Sequence, residues 1–528
     1  TLGNLQFLDL MLNQLSGPIP PELGNLVSLK YLNFYGNLLT GSIPPELGDL
    51  INLQSLSLDG NQLTGNIPAQ LGNLTNLQEL RLSVNKLTGS IPPELGNLTN
   101  LQKMYFASNQ LTGSIPPELG NLSNLQTLSL GQNYLTGNIP IELGALLYLQ
   151  SLRLNNNQLS GTIPAEFGNL SSLSQLRLYS NLLSGPIPPE LGNLNNLVYL
   201  DLSNNQLNGS IPLEIENLVN LESLYLSKNM LTGSIPTQLG SLTNLVALAL
   251  DENDLSWSIP AELGNLANLQ FLRLRLNNLS GLIPTELGSL TKLKSLILSD
   301  NFLVGDIPAT LGNLVALTYL DLMGNQLGGV IPAEFTSLVN LGYLDLGYNR
   351  LNVPQELEME AFLAIKDPDW YLTQAVEEVI PGDIGGTVVS NDGNTEIDIP
   401  AGAAEGLFTI LFAPQPDPSQ DIGVLNFAGD SFELTAFNEL GPVVSFAQPL
   451  TLTLQYDQAS LGVIPEDSLI LYYWDTDLLD WVDAASTCEG GTYTRNLEED
   501  WLSLPICHLS EFALLGDSFD LFLPTIRR

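Results

Sequence analysis

Apolar positions return with fixed phase along most of the chain. In Leu125-Gln-Thr-Leu128-Ser-Leu130-Gly-Gln-Asn133 the L-x-L core reads as a short strand whose two leucines point the same way. The same frame recurs every 24 residues. Asparagine stands at Asn13, Asn37, Asn61, Asn85, Asn109, Asn133, Asn157, Asn181, Asn205, Asn229, Asn253, Asn277, Asn301, Asn325 and Asn349, without a slip across fifteen repeats. Around it runs L-x-x-L-x-L-x-x-N-x-L-x-G-x-I-P-x-x-L-G-N-L-x-x. Each part predicts an element. The strands pair in parallel, and the face opposite the leucines lines the concave side of an arc. The asparagine turns inward to bond backbone groups of the bend that would otherwise be buried and unpaired. Glycine four places later allows a tight turn. Proline after isoleucine lacks a donor, so that stretch is peripheral rather than a central strand. One repeat cannot bury its own leucines, so stability comes from stacking neighbours.

A 24-residue period with this leucine spacing resembles the leucine-rich repeat, whose period is roughly 20–29 residues. The G-x-I-P element is similar to the plant-type subclass found in receptor ectodomains, polygalacturonase inhibitors and bacterial surface proteins. The resemblance covers residues 1–352, about 15 repeats, and implies an α/β-type leucine-rich-repeat solenoid with its parallel sheet on the concave face.

The pattern breaks after Leu351, where Asn352-Val353-Pro354 replaces x-G-x-I-P. Residues 355–366 are apolar-periodic and predict a short helix, ended by Asp367-Pro368-Asp369-Trp370. Residues 353–380 are expected to be a cap and linker, with Phe362, Leu363 and Trp370 covering the last leucines. From about 381 the period becomes two. Thr387–Val389, Thr395–Ile399, Leu407–Phe412, Leu450–Leu454 and Leu469–Tyr473 read as strands between Gly, Pro, Asn and Asp turns. An all-β antiparallel sandwich is expected over 381–516, with a tail at 517–528.

Two further motifs lie in this module. Gly385-Gly386-Thr387 followed by Ile399-Pro400-Ala401-Gly402-Ala403 resembles the β-module of zonula occludens scaffolds, netrin receptors and ankyrins. Trp474, Trp481, Cys488, Cys507 and His508-Leu509-Ser510-Glu511-Phe512-Ala513 follow the order of an adhesion-receptor proteolysis-site motif. That resemblance implies self-cleavage between Leu509 and Ser510, with His508 as base for the Ser510 hydroxyl. The chain departs from the motif in having two cysteines where receptors usually have four. A final core strand through Leu509, Phe512 and Leu514 is the competing expectation. Cys488 and Cys507 are expected to form one disulfide closing a hairpin, which fits an oxidising compartment. Asp475, Asp477, Asp480 and Asp483 are expected on a solvated hairpin rather than around calcium.

Composition narrows the function classes. The 528 residues carry 56 acids against 16 bases, a net charge of -40. Residues 353–528 hold 31 acids and 4 bases; residues 1–352 hold 25 and 12. Phosphate backbones and anionic membranes need basic surfaces, so no nucleic-acid or lipid-surface partner is expected. A single histidine excludes most metal sites and His-based centres; no P-loop or cofactor pattern occurs, so cofactor and metal are both expected to be none. The apolar runs fall short of the ~20 residues of a membrane span. Thr1 opens inside a repeat and no signal peptide is visible, so the chain is expected to be part of a longer product.

Ligand chemistry is expected in the solvent-facing columns six, four, two and one residue before each asparagine. These hold Arg81, Lys103, Arg153, Arg177, Lys228, Arg273 and Arg275, seven of the solenoid's 12 bases. The aromatic residues there include Tyr105, Tyr179, Tyr199, Tyr225 and Phe271. Arg and Tyr are enriched at interface hot spots. Arg153 and Arg177 share a column on adjacent strands, about 5 Å apart, where like charges cost energy unless solvated or paired. The expectation is a secreted or cell-surface recognition and adhesion protein that is not an enzyme, binding a protein, peptide or glycan on the concave face. The alternative is a structural array that binds ice or a repetitive polymer. One outward column runs Phe7, Tyr31, Ser55, Glu79, Lys103, a heterogeneity that favours a discrete ligand.

Overall fold

The computed structural model describes residues 4–354, 356–382, 384–404, 407–415, 426–438, 441–442, 446–456, 469–475, 478, 480–488, 491–496, 500–507, 509 and 511–516. Contacts divide the chain into two units: Thr1–Leu298 with Asn313–Thr318, and Ser299–Gly312 with Tyr319–Arg528.

Every L-x-L becomes a three-residue strand. Fifteen of them, from Phe7–Asp9 to Tyr343–Asp345, form one parallel sheet whose order follows the chain. The first unit holds thirteen of these strands and the second unit the last two. The register is direct: Ser151, Leu152 and Arg153 face Gln175, Leu176 and Arg177. The leucines between them are sealed, with Leu152, Leu176 and Leu200 at 1% exposure or less.

The asparagine ladder follows from unpaired backbone at the bend. Asn181 is buried; its Nδ2 donates to the carbonyls of Leu154 (3.1 Å) and Leu178 (2.9 Å), and its Oδ1 accepts from the Leu159 N–H (3.1 Å). Each such amide ties its own repeat to the one before. The residue preceding the ladder asparagine is left-handed in all fifteen repeats, with φ between 50° and 68°, although only Gly36, Gly60 and Gly324 are glycines there. The amide network over-determines a conformation that costs an ordinary residue energy.

The glycine expected in a tight turn lies instead within or at the end of a second set of short parallel strands, as Gly137 (φ 78°) does in Tyr134–Asn138, and 3-10 turns such as Pro93–Asn97 follow. The glycine of the L-G-N element allows these turns to stack: a Cβ on Gly96 would lie 2.5 Å from the Glu118 carbonyl oxygen. A second asparagine series, unread in the sequence, links the same turns. Asn76 Nδ2 donates to the Ile51 carbonyl (2.9 Å) and Asn100 Nδ2 to that of Thr75 (2.8 Å).

In the second unit, helix α1 (Leu357–Lys366) follows the last repeat. Met359, Leu363 and Trp370 are buried, whereas Phe362 is only half-buried. Residues 359 and 363 are one turn apart and share the inward face, which places 362 on the flank. Gln374, 1% exposed, continues the ladder: its Oε1 accepts from the Leu351 N–H (2.9 Å) and its Nε2 donates to the Leu346 carbonyl (3.0 Å). The Asp367 carboxylate accepts from the Leu346 N–H (2.7 Å).

The rest of this unit is antiparallel. One sheet orders Val376–Pro381, Leu407–Gln415, Asn426–Asn438, Glu511–Gly516, Ile470–Asp475 and Asp480–Asp483, with Gly441–Pro442 paired to Asn426–Asn438. The other orders Gly386–Val389, Thr395–Ile399, Leu450–Gln455, Trp501–Ile506 and Thr494–Asn496. Alternating residues of both, among them Ile397, Phe408, Phe432, Leu452, Leu504 and Phe512, share one core, as a sandwich requires. All five strands anticipated from the sequence are present. Among the described residues no helix is long and apolar enough to cross a membrane.

Candidate functional site

The fifteen-stranded sheet carries Arg81, Lys103, Tyr105, Arg153, Arg177, Tyr199, Tyr225, Phe271 and Arg273 at positions flanking its inward leucines, whereas Tyr179, Lys228 and Arg275 lie past the ends of their strands. They do not form one uniform stripe. Arg81 is tied down by acids: its Nε donates to Glu79 (2.8 Å), its Nη1 lies 3.5 Å from Asp59, and its guanidinium sits 4.4 Å from the Tyr105 ring centre. Burial pushes the Asp59 carboxyl up to about 6, against the pull of the Ser83 N–H and Arg81. Lys103 is half-buried and stands beside Glu79 in register.

Arg153 and Arg177 are different. Arg153 donates to Ser151 Oγ (3.2 Å) and to Gln175 Oε1 (3.0 Å), neutral partners. The Arg177 side chain makes no hydrogen bond among the described residues, and its Nε is buried without a partner. Its guanidinium lies 4.5 Å from the centre of the Tyr199 ring. Tyr199 is held in turn by donation to Asp201 (3.2 Å) and by a tilted contact with Tyr225, centroids 5.6 Å apart. Burial and then the Asp201 charge push the Tyr199 hydroxyl up to about 12, so it stays a donor. Among the described residues no carboxylate is within ion-pair distance of Arg153 or Arg177. Tyr179 is half-buried two residues beyond the end of the Arg177 strand.

The next feature is a recess of about 230 Å³ walled by Tyr225 and Phe271 and floored by Ala247 and Ala249, with Arg273 at the rim. Arg275 follows two residues later and is exposed. Ala247 and Ala249 escape a search for charged or aromatic residues; the legible signal is two small residues in columns where neighbouring strands carry bulky ones. Toward the C-terminal end of the sheet, the carboxyl of Asp321 is raised by burial although Ser299 Oγ donates to it (2.8 Å).

In the β-sandwich, Cys488 and Cys507 are joined, with Cα atoms 5.2 Å apart, as expected. Asp475 faces Asp480 across an antiparallel hairpin, and Asp483 is engaged by the Ala485 N–H (2.9 Å) and the Tyr493 hydroxyl. Among the described residues no cluster suits a metal ion; Asp477 lies outside them. His508 and Ser510, the self-cleavage pair, also lie outside the described residues. Leu509 packs against the sandwich core, and Phe512 is fully buried in it.

Comparison with known proteins gives a consistent picture over the repeats. The family described as "Leucine-rich repeat region" matches residues 2–131 and 188–301, and "Leucine rich repeat" matches 147–207 and 291–351. Similar solved structures include a plant peptide hormone receptor, RGFR1 in complex with RGF2, at 38% identity over 68% of this chain and 61% of that one, TM-score 0.62. The ectodomain of the Arabidopsis thaliana membrane receptor kinase GASSHO1/SCHENGEN3, in complex with CASPARIAN STRIP INTEGRITY FACTOR 2, is 40% identical over 68% and 46%, TM-score 0.61. The Leptospira interrogans LRR protein LIC12759 is 36% identical over 68% and 88%, TM-score 0.55. The chain thus spans less than two thirds of the two plant receptor chains. A search of curated proteins found no match.

Proposed function

Because the chain belongs to the leucine-rich-repeat family, we propose that it is an extracellular or cell-surface recognition and adhesion protein whose outward sheet face binds a protein or peptide. The observation that carries this reading is the Arg153–Arg177 pair. Two guanidinium groups on adjacent strands spend no donor on a carboxylate, and the Arg177 side chain is oriented by Tyr199 while making no hydrogen bond among the described residues. A buried unpaired donor costs free energy that an incoming acceptor removes. Planar, bidentate guanidinium groups suit a carboxylate of the ligand.

The recess over Ala247 and Ala249 suits an apolar or aromatic side chain of the same ligand. It lies three strands beyond Arg177, roughly 14 Å at about 4.8 Å per strand. An extended chain covers that in about four residues. The ligand is therefore an extended segment with an acidic residue and an aromatic or large apolar one about four positions apart. The likeness to a plant peptide hormone receptor solved in complex with RGF2 lends support to a peptide-type partner, and the Cys488–Cys507 bond to an oxidising compartment.

The test is selection from a random dodecapeptide library on the intact protein. Peptides with that acidic-to-aromatic spacing should be enriched, and Arg153→Glu with Arg177→Glu should abolish their binding while leaving the melting temperature nearly unchanged. Retained binding in the double variant would place the site elsewhere.

One observation favours the repetitive-surface alternative. On and just after the second set of strands, two exposed or half-exposed columns run Thr40, Thr64, Thr88, Thr112, Thr136 and Ser42, Asn66, Ser90, Ser114, Asn138 without a single charge. A hydroxyl and amide array of one period fits an ordered polymer or ice surface. Thr112→Arg with Thr136→Arg should then abolish adsorption to such a surface and leave peptide selection untouched. Adsorption that survives both substitutions excludes this array.

A further inference from the structure

We infer that a second recess on the same sheet, over Ser55 and Ser57, binds a neutral pyranose ring of a glycan. This site is independent of the peptide reading, which rests on strands further along.

Three adjacent strands build it, Tyr31–Asn33, Ser55–Ser57 and Glu79–Arg81, in direct register. The middle strand carries only hydroxymethyl groups outward, and the cavity above it measures about 440 Å³. That lies within the roughly 300–1,000 Å³ typical of small-molecule sites. Tyr31 is one wall. Phe7 stacks on it with centroids 4.6 Å apart and planes within 8°, and its hydroxyl donates to Gln54 Oε1 (3.0 Å). The ring is thereby held upright from both ends. Phe7 occupies the strand on one side, so the opposite ring face is turned toward the small Ser55.

The far wall is polar and sets two carboxylates against one guanidinium. Glu79 bonds Arg81, and Arg81 also reaches Asp59 while resting on Tyr105. These groups offer fixed hydrogen-bonding atoms without excess positive charge, in contrast to the Arg153–Arg177 pair. Asp9, Asn33, Tyr35 and the Ser55 and Ser57 hydroxyls also line the recess, with Leu8 and Leu32 behind them. The ligand must then present one apolar flat face to Tyr31 and several hydroxyls around its edge. A pyranose has both. A phenol ring could stack equally well but has one polar atom, and would leave most of the lining unpaired at a cost. An anionic sugar would set its carboxylate against Glu79 and Asp9.

The intact chain would be titrated with hexasaccharides of glucose, mannose and galactose, with tyrosine amide, and with oligogalacturonate, read by saturation-transfer NMR and calorimetry. At least one neutral hexasaccharide should bind with saturation on ring C–H protons. Tyr31→Ala and the recess-filling Ser57→Leu should each weaken it by about tenfold or more, roughly the loss of one stacking contact. Arg177→Glu should leave sugar binding unchanged, which separates this site from the peptide face. Circular dichroism checks that both variants keep the fold, and Tyr31→Ala decides the matter where Ser57→Leu does not fold. The proposal is overturned by any of three results: no neutral hexasaccharide binds, tyrosine amide or oligogalacturonate binds in preference, or Tyr31→Ala binds sugar as well as the unaltered protein.

Discussion

Asn181 and Gln374 do the same work with different side chains. Each amide accepts from a leucine N–H of the preceding repeat and donates to carbonyls that the bend leaves unpaired. Leucine at either place removes every one of those bonds and buries the orphaned groups, at about 1–3 kcal/mol for each such group. Asn181→Leu and Gln374→Leu should therefore lower the denaturant midpoint markedly, whereas Asn13→Leu, at an exposed position, should do so far less. Equal loss in all three, measured by urea titration, would mean that burial of the amide is not what matters. The asparagines were legible because their spacing never varies. Gln374 was not, because it stands 25 rather than 24 residues after Asn349, and only the cap's fold brings its longer side chain into place.

At the scale of elements, the cap carries a charge it does not favour. Burial pushes the Asp367 carboxyl from 3.8 up to about 6, helped by the neighbouring charges of Asp345 and Asp369 and opposed by the Leu346 N–H. The folded chain then binds a proton that the unfolded chain has released. Its contribution is absent below the unfolded value near 3.8, becomes destabilising as pH rises toward about 6, and is constant above that. Asp59 shifts in the same direction. Asp367→Asn keeps an acceptor for the Leu346 N–H and removes the titration. Between pH 4 and 6 the stability of the variant relative to the unaltered protein should rise with pH, followed by urea midpoints across that window. A constant difference would show that Asp367 is not linked to folding there. The helix itself was legible from its apolar period. Its buried side, Met359 with Leu363 rather than Phe362, was not, because the period fixes a face only once the start of the helix is known.

At the scale of the whole molecule, the two kinds of architecture hold together by different means. The solenoid sums contacts between neighbouring repeats. The sandwich closes one shared core and adds a cross-link between residues 19 apart in sequence, Cys488 and Cys507. A loop of that size contributes roughly 3 kcal/mol through the unfolded state. Reduction should lower the unfolding transition of the sandwich, monitored by hydrogen exchange over 376–516, while exchange over the repeats 79–273 stays as it was. Uniform loosening of both regions would contradict this division.

By itself the sequence determined the period, the fifteen strands of the long parallel sheet, the inward leucines and asparagines, the change to an alternating pattern after 380, and which columns face outward. These are local properties: repetition makes every repeat report the same environment, and strand alternation assigns the sides. Tertiary structure decided what the outward residues do for one another. Arg81 is paired with Glu79 and with Asp59 of the preceding repeat, while Arg177 is left with an aromatic partner and no acid. Ser55 with Ser57, and Ala247 with Ala249, become recesses only because larger side chains stand on the strands beside them. Those relations run between residues 24 apart and depend on side-chain size and rotamer. A repeat pattern, which records what is common to every turn of the solenoid, carries no trace of them.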